Sequence, residues 1–126
     1  MTDGVPWMKS QYRLKKNEDF QYVFQRGNSA ANRQFVVYQL KKEQQDTIRI
    51  GLSVSKKLGN AVDRNRIKRL MKEILRELAP DLLQNRDVVI IARKPAADMD
   101  YHQMKKSMYH VMKVAKLFRA PTRVNR

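Results

Sequence analysis

The chain has 126 residues, a length typical of one domain, and its 27 basic and 12 acidic residues give a net charge of +15. The absence of cysteine excludes structural disulfides and cysteine-based zinc sites, and it fits a reducing cytoplasm. No apolar run approaches the ~18 residues that span a bilayer, and the N-terminus lacks a hydrophobic signal core. A charge of this size indicates a polyanionic partner, and nucleic acid is favoured over an acidic membrane surface.

The first predicted element is a short helix that begins at Asn17 and ends at Gly27. Asn17 is expected to cap it, and the two acidic residues that follow suit the positive end of the helix dipole. Phe20, Val23 and Phe24 recur at helical spacing and predict the face that packs on the rest of the domain.

Two strands are predicted next. Residues 34–40 are rich in β-branched and aromatic side chains, which is typical of a strand. Residues 47–54 alternate strictly, so one face of the second strand is apolar and the other is polar or small. The apolar face consists of Ile48, Ile50, Leu52 and Val54, and the other face consists of Thr47, Arg49, Gly51 and Ser53.

A long helix is predicted over residues 60–78, after a tight turn at Gly59. The spacing of Asn60 and Asp63 resembles a capping box in which Asp takes the usual place of Glu, and Pro80 is expected to end the helix. Its apolar stripe consists of Ile67, Leu70, Met71, Ile74, Leu75 and Leu78. Basic side chains are expected on the opposite side, namely Lys68, Arg69, Lys72 and Arg76, with Arg64 and Arg66 at the two edges of the stripe.

The remaining elements are a strand over residues 88–92 and a helix over residues 101–118. The strand is apolar on both faces, which predicts a central position in the sheet. The apolar face of the helix consists of Tyr101, Met104, Met108, Val111, Met112 and Ala115. The order of helix, strands, helix, strand and helix predicts one sheet with helices against it.

Dense positive charge between residues 56 and 72 is the strongest functional signal. The segment holds seven basic residues and one acidic residue, a net charge of +6. A solvated helix face is the ordinary explanation of such a run, but this excess is far beyond what solubility needs. Helix N-termini favour phosphate, and Arg offers a planar fork to a pair of phosphate oxygens. We therefore expect this segment to bind a polyanion.

Phe20, Phe24 and Tyr38 form a second candidate set. Aromatic residues at helical spacing usually pack a core, and some of these must hold the first helix on the sheet. Two long helices cover one face of a sheet, however, so the other face is expected to stay partly open. Aromatic side chains on an open sheet face bind single-stranded nucleic acid by stacking, and the two roles are compatible.

No combination of residues predicts catalysis by the chain itself. His102 and His110 have no carboxylate or cysteine pattern beside them, and Ser53 and Ser55 lack the context of a nucleophile. We find no pattern for nucleophilic, general acid–base or metal-dependent catalysis. The residues alone therefore predict a protein that binds single-stranded or structured RNA and is not itself an enzyme.

Several separate motifs, in the right order along the chain, resemble those of the bacterial ribonuclease P protein subunit. The resemblance spans residues 14–118. It is carried by Leu14-Lys-Lys-Asn-Glu-Asp-Phe20, by Ala31-Asn-Arg-Gln-Phe35, by the stretch from Gly51 to Leu70 with its Arg64-Asn65-Arg66, and by Ile90-Ile-Ala-Arg-Lys-Pro95.

The resemblance implies an α+β fold, a single-domain α/β sandwich in the order α-β-β-β-α-β-α. It also implies a left-handed β-α-β crossover, an exception to the right-handed rule, and a likeness to the second domain of a small-subunit ribosomal protein. Residues 14–118 would form the RNA-binding domain, with residues 1–13 as a flexible N-terminal extension and residues 119–126 as a basic C-terminal tail.

The resemblance further implies that a partner RNA with bound Mg²⁺ performs catalysis, and that the protein holds no metal or cofactor of its own. The protein would dock this catalytic RNA and hold the 5′ leader of precursor tRNA, as a cytoplasmic monomer with one copy per RNA and no membrane contact. The surface that faces the catalytic RNA maps to Lys56, Lys57, Asn60, Arg64, Asn65, Arg66, Lys68, Arg69 and Lys72. The leader cleft maps to Phe20, Phe24, Tyr38 and Ser53.

Two alternatives from other classes stay open at this point. A ribosome-associated RNA-binding or assembly protein would share the architecture, but the Arg-Asn-Arg motif with the Lys-Lys-x-Gly-Asn turn argues against it. A stand-alone nuclease would need the catalytic residues that the sequence does not show. Sequencing the RNA that co-purifies with the protein would separate the three.

Overall fold

The computed structural model describes residues 13–119, which fold into three α-helices and four strands. The helices are α1 (Asn17–Arg26), α2 (Ala61–Leu78) and α3 (Tyr101–Val114), and the strands are β1 (Asn28–Ala31), β2 (Phe35–Lys41), β3 (Ile48–Val54) and β4 (Arg86–Ala92). The α+β class and the order α-β-β-β-α-β-α agree with what the resemblance implied, whereas the residue patterns predicted two strands rather than three between α1 and α2.

The four strands form one sheet in the order β1-β2-β4-β3. β2 pairs antiparallel with β1 and with β4, whereas β3 and β4 are parallel and are connected through α2. Strands lie on both sides of β4, which confirms the central position that its apolar sequence predicted. The left hand of the crossover and the likeness to a ribosomal protein domain stay predictions.

The main core lies between one face of the sheet and the helices α2 and α3. The predicted stripe of α2 is confirmed, because its apolar residues are buried here with Leu70 partly buried at the edge. The alternation of β3 is confirmed as well. Its apolar side chains join this core together with the inward-facing residues of β2, which are Phe35 and Val37.

α1 packs on the opposite face of the sheet, where a smaller core forms. Val23 is fully buried there, together with Leu14 and Val89. Gly27 lets the end of the helix approach the sheet, because a Cβ at this position would come within 2.5 Å of the backbone oxygen of Gln39. One face of the sheet therefore carries two long helices, and the other carries one short helix.

Three details differ from the sequence prediction. Lys16 rather than Asn17 occupies the N-cap position of α1, and no side chain caps this helix. α3 ends at Val114 rather than at residue 118, because Lys116 adopts a left-handed backbone with a φ of 59° and Phe118 then pairs with the segment after α2. β1 has the sequence Asn-Ser-Ala-Ala, which has no strong strand formers, so its pairing with β2 and not local preference makes it a strand.

The predicted extension and tail fall almost wholly outside the described residues. Arg13 makes an isolated parallel bridge to Ile50, and the Leu14 backbone N–H donates to the Ile50 carbonyl at 3.1 Å. At the other end, the Arg119 backbone N–H donates to the Asp81 carbonyl at 2.8 Å. The domain boundaries at residues 14 and 118 stay predictions.

Candidate nucleic-acid interface

The turn that leads into α2 is built around Gly59. Its φ of 140° lies in the left-handed region that favours glycine, and a Cβ there would come within 2.5 Å of the Asp63 carboxylate. The predicted capping box is confirmed: the Asn60 side chain accepts from the Asp63 backbone N–H at 2.9 Å, and the Asp63 carboxylate accepts from the Asn60 N–H at 3.1 Å. The turn and the cap together fix where α2 begins.

Arg64 and Arg66 lie in the first turns of α2 and contact different neighbours. Arg64 Nη1 donates to the Gly59 carbonyl at 2.9 Å, and Arg66 Nη2 donates to the Met99 carbonyl at 3.2 Å. A guanidinium has several N–H groups, so each side chain keeps donors for a ligand. These contacts restrict the two side chains, which reduces the entropy that they lose when they bind a phosphate.

The predicted basic set divides into two groups. We call the first group the basic surface; it is exposed apart from the half-buried Arg64 and consists of Lys56, Lys57, Asn60, Arg64, Asn65, Arg66 and Arg69. Lys68 and Lys72 form the second group. They were expected opposite the apolar stripe but are half-buried beside the edge of β3, where they line a cavity of about 260 Å³ with Arg13 and Lys15. The prediction of their direction was wrong, because they lie at the border of the stripe.

Val62 projects from the first turn of α2 and was not among the predicted site residues. Its side chain is 76% exposed although it is apolar. It stands between Asn60 and Arg66 in sequence, so an apolar side chain lies among the residues of the basic surface. The sequence feature that indicates its exposure is that Val62 is apolar but lies outside the apolar stripe of α2.

The cleft lies between α1 and the sheet, and the structure brings Phe20, Phe24 and Tyr38 together there. The rings of Phe24 and Tyr38 meet edge to face with their centroids 5.0 Å apart, and those of Phe20 and Phe24 are 6.5 Å apart. Phe20 covers Gly51, where a Cβ would come within 2.5 Å of its ring. All three aromatic residues are partly buried. They therefore pack α1 on the sheet and still present ring surface to solvent.

A row of side chains beside the cleft is also partly uncovered. Pairing register places Val36, Ile91 and Ser53 side by side across β2, β4 and β3, next to the row that contains Tyr38 and Gly51. All three are half-buried, and we call them the open row. Ser53 was predicted as a residue of the leader cleft, whereas Val36 and Ile91 were not. Ile91 could have been predicted, because its strand is apolar on both faces and one face of the sheet was expected to be partly open.

A buried ion pair lies under α1 at the other end of the same sheet face. Arg49 Nε and Nη2 donate to the two carboxylate oxygens of Asp87 at 2.8 and 2.7 Å, and Asp87 is 1% exposed. Gln45 Nε2 donates to the same carboxylate at 3.0 Å, and Lys42 Nζ lies 3.2 Å from it. Arg49 also reaches Asp19 of α1, at 3.8 Å. The network thus connects α1 to the neighbouring strands β3 and β4.

This network shifts the pKa of its members. Burial alone would raise the pKa of Asp87, but the hydrogen bonds from Arg49 and Gln45 and the charges of Arg49 and Lys42 outweigh burial, so the pKa lies below its ordinary value. The hydrogen bond to Asp87 raises the pKa of Arg49. Asp87 is therefore ionised at neutral pH, and its charge is fully partnered.

Within residues 13–119, no group of three His, Cys, Asp or Glu side chains could hold a metal ion. None of the helices in the same range is both long and apolar enough to cross a bilayer.

The fold and its two surfaces define a class of protein. One sheet carries a cationic helix start on the α2 side and an aromatic cleft on the α1 side. Proteins hold structured and single-stranded RNA with cations that contact phosphates and with aromatic rings that stack on bases. The class is that of a small, basic RNA-binding protein.

Comparison with known proteins identifies the family. The family model for ribonuclease P matches residues 8–116. A ribonuclease P protein component from Listeria innocua is 58% identical over 112 residues, which cover 89% of this chain and 94% of that relative. One from Bacillus cereus is 60% identical over 106 residues, which cover 84% of this chain and 92% of the relative.

Solved structures give the same result. The RNase P protein of Staphylococcus aureus matches with a TM-score of 0.81 and 50% identity, over 86% of this chain and 98% of that chain. The RNase P protein of Thermotoga maritima matches with a TM-score of 0.74 and 31% identity, over 81% of this chain and 96% of that chain. The chain belongs to the ribonuclease P protein family and works as a protein subunit of this tRNA-processing endoribonuclease. A ribosome-associated role is not favoured.

Proposed function

We propose that the protein contributes binding and that the RNA subunit performs the cleavage. The basic surface, with Lys68 and Lys72, docks the catalytic RNA. The cleft and Ser53 hold the 5′ leader of precursor tRNA. The observation that carries this proposal is the separation of the two surfaces: the cationic one lies on the α2 side of the sheet, and the aromatic one lies on the α1 side.

The two proposed surfaces approach each other just after the end of β3. Ser53 ends the open row, and Lys56 begins the basic surface three residues later. A leader that runs along the open row would therefore reach the place where the catalytic RNA is held. This arrangement lets one small protein bring a single strand next to a structured RNA.

Val36 and Ile91 extend the proposed leader site beyond the residues that were predicted from the sequence. Their apolar side chains form part of the floor next to the Tyr38 ring, where a base can lie without a specific hydrogen bond. Contacts of this kind tolerate any base sequence. We therefore expect the protein to hold leaders of differing sequence.

We assign Mg²⁺ to the RNA subunit. The segment that docks the RNA carries seven cations and one acid, and the acid, Asp63, is engaged in the capping box. Such a donor set does not attract a divalent cation, whereas RNA phosphates do. The assembly is proposed to contain one protein monomer per catalytic RNA, in the cytoplasm.

The test of this division of labour is a cleavage assay. RNA-free protein, catalytic RNA and the two together are incubated with precursor tRNA and Mg²⁺. We expect no processing by the protein alone, and we expect the protein to increase processing by the catalytic RNA. Specific 5′ processing by the protein alone would contradict the proposal.

A further inference from the structure

An exposed tyrosine on α1 belongs to neither proposed surface. Tyr22 is 44% exposed. The guanidinium carbon of Arg26 lies 5.1 Å from the centroid of its ring, and the Lys42 ammonium lies 5.7 Å from it. Phe20 and Phe24 line the cleft on one flank of α1, whereas Tyr22 faces the turn between β2 and β3 on the other flank.

A groove of about 470 Å³ lies beside this ring. Tyr22, Leu40 and the turn residues 41–45 line it. Leu40 gives an apolar wall, and Lys41 and Lys42 give two cations beside one acid, Glu43. This volume falls within the range of about 300–1,000 Å³ that is usual for sites that enclose small ligands. The groove can therefore accept a flat ring with a charged group attached.

We propose that Tyr22 and Arg26 bind a nucleotide of the leader that lies upstream of the nucleotides in the cleft; this inference rests on the proposed leader site. Aromatic rings and guanidinium planes both stack on unpaired bases. Lys41, which projects from the same groove, supplies a cation for the phosphate. The three side chains together match one nucleotide of single-stranded RNA.

Position in the fold selects the leader rather than the catalytic RNA as the occupant. Tyr22 shares α1 with the cleft residues Phe20 and Phe24, whereas the basic surface lies on the other side of the sheet. A strand that runs from the cleft to Tyr22 crosses α1, whose diameter with side chains is roughly 10–12 Å. A short leader ends before this point, so the contribution of Tyr22 should depend on leader length.

The experiment measures binding of tRNA substrates with different leaders to the holoenzyme reconstituted from the full chain and the catalytic RNA. The substrates carry no leader, a leader of about four nucleotides or a leader of about twelve nucleotides, lengths within the range of about 4–16 that single-strand sites cover. Tyr22→Ala should weaken binding of the longest leader about 5-fold or more, as expected when one base is no longer stacked. Its effect on the other two substrates should be negligible, and Tyr22→Phe should keep most of the affinity.

Two further variants make the result specific. Tyr109→Ala removes another exposed tyrosine, 47% exposed on α3, and should change binding of no substrate. Tyr38→Ala tests the cleft itself and should weaken binding of both leaders. Lys42 is not a suitable probe because it also pairs with Asp87.

Three results would overturn the inference. Unchanged affinity of Tyr22→Ala for the longest leader, with a loss for Tyr38→Ala, would reject the Tyr22 site and leave the cleft intact. An equal loss on all three substrates would place Tyr22 against the catalytic RNA. No loss for either variant would reject the cleft and the Tyr22 site together.

Discussion

The basic surface on α2 and the cleft under α1 are built in different ways. On the basic surface the side chains proposed to bind RNA are exposed apart from the half-buried Arg64, and the apolar stripe behind them holds α2 on the sheet. In the cleft the same rings that face solvent also pack α1. Substitutions on the basic surface, other than at the capping residue Asn60, should therefore affect mainly binding. Substitutions in the cleft should also affect folding unless the position is chosen with care.

The electrostatics of the two regions differ in the same way. Cations of the basic surface are exposed and therefore screened by salt, and their attraction for RNA should fall as ionic strength rises. Arg49 and Asp87 are held together under α1 with Asp87 buried, so salt should affect them little. The cleft should keep its shape at salt concentrations that release the catalytic RNA.

The largest effect is expected on the α1 side. Asp87→Ala leaves Arg49 and Lys42 without their shared carboxylate in a covered site, and the free energy of unfolding should fall by about 3 kcal/mol. Urea unfolding measures this. Asp46→Ala, at an exposed acid in the turn before β3, is the matched control and should cost less than about 0.5 kcal/mol. Similar small losses for both would show that the ion pair does not hold α1.

Acid should weaken the α1 side through the same carboxylate. Because the folded state lowers the pKa of Asp87, its contribution is present above the unfolded-state pKa near 3.9 and is lost as pH falls through the lower folded-state pKa. Urea unfolding of the wild type between about pH 6 and about pH 2 should therefore show a steeper loss below about pH 4 than Asp87→Asn, which cannot titrate. Parallel curves would contradict this role of Asp87.

In the cleft, Tyr38 is the cleanest probe of leader binding. Its neighbour Val37 points into the main core, so truncation of Tyr38 disturbs that core little. Tyr38→Ala should weaken binding of precursor tRNA by about 1–3 kcal/mol if it removes one stacked base, and should hardly change binding of mature tRNA. Paired titrations on substrates that differ in the leader measure this. Equal losses of affinity for both substrates would show that Tyr38 has a structural role rather than a role in leader binding.

The smallest effect for each residue is expected on the basic surface. Arg64→Ala or Arg66→Ala should weaken docking onto the catalytic RNA and reduce the salt slope of binding by about one or less for each phosphate that is no longer neutralised. Stability should change little, because each side chain contributes one hydrogen bond to a backbone carbonyl at a partly open site. Titrations between about 0.1 and 0.4 M salt measure this. Affinity and slope that both match the wild type would mean that these side chains are merely solvated.

Local features could be predicted from the sequence, and long-range pairings could not. The capping box of Asn60 and Asp63 and the stripe of α2 depend on residues three or four apart, so periodicity reveals them. The partnership of Arg49 and Asp87 joins residues 38 apart, and no local pattern marks it. β1 likewise exists because β2 pairs with it.

The candidate site shows the same limit. The aromatic set was predicted and is brought together, but Val36 and Ile91 become visible only when the register aligns them with Ser53. Lys68 and Lys72 were predicted to lie opposite the apolar stripe, and this direction was wrong. Their border position follows from how α2 lies on β3, which periodicity along one helix does not contain.

The central claim is that one small domain holds two RNAs on separate surfaces. Its most direct test measures two affinities, for the catalytic RNA and for the leader of precursor tRNA in the assembled holoenzyme. The variants are Tyr38→Ala, Arg66→Ala and the double variant. We expect Tyr38→Ala to lower leader affinity alone and Arg66→Ala to lower catalytic-RNA affinity alone. In the double variant each affinity should fall by the same amount as in the corresponding single variant, because distant and independent sites do not affect each other. A loss of both affinities from either single substitution would contradict the separation of the two surfaces.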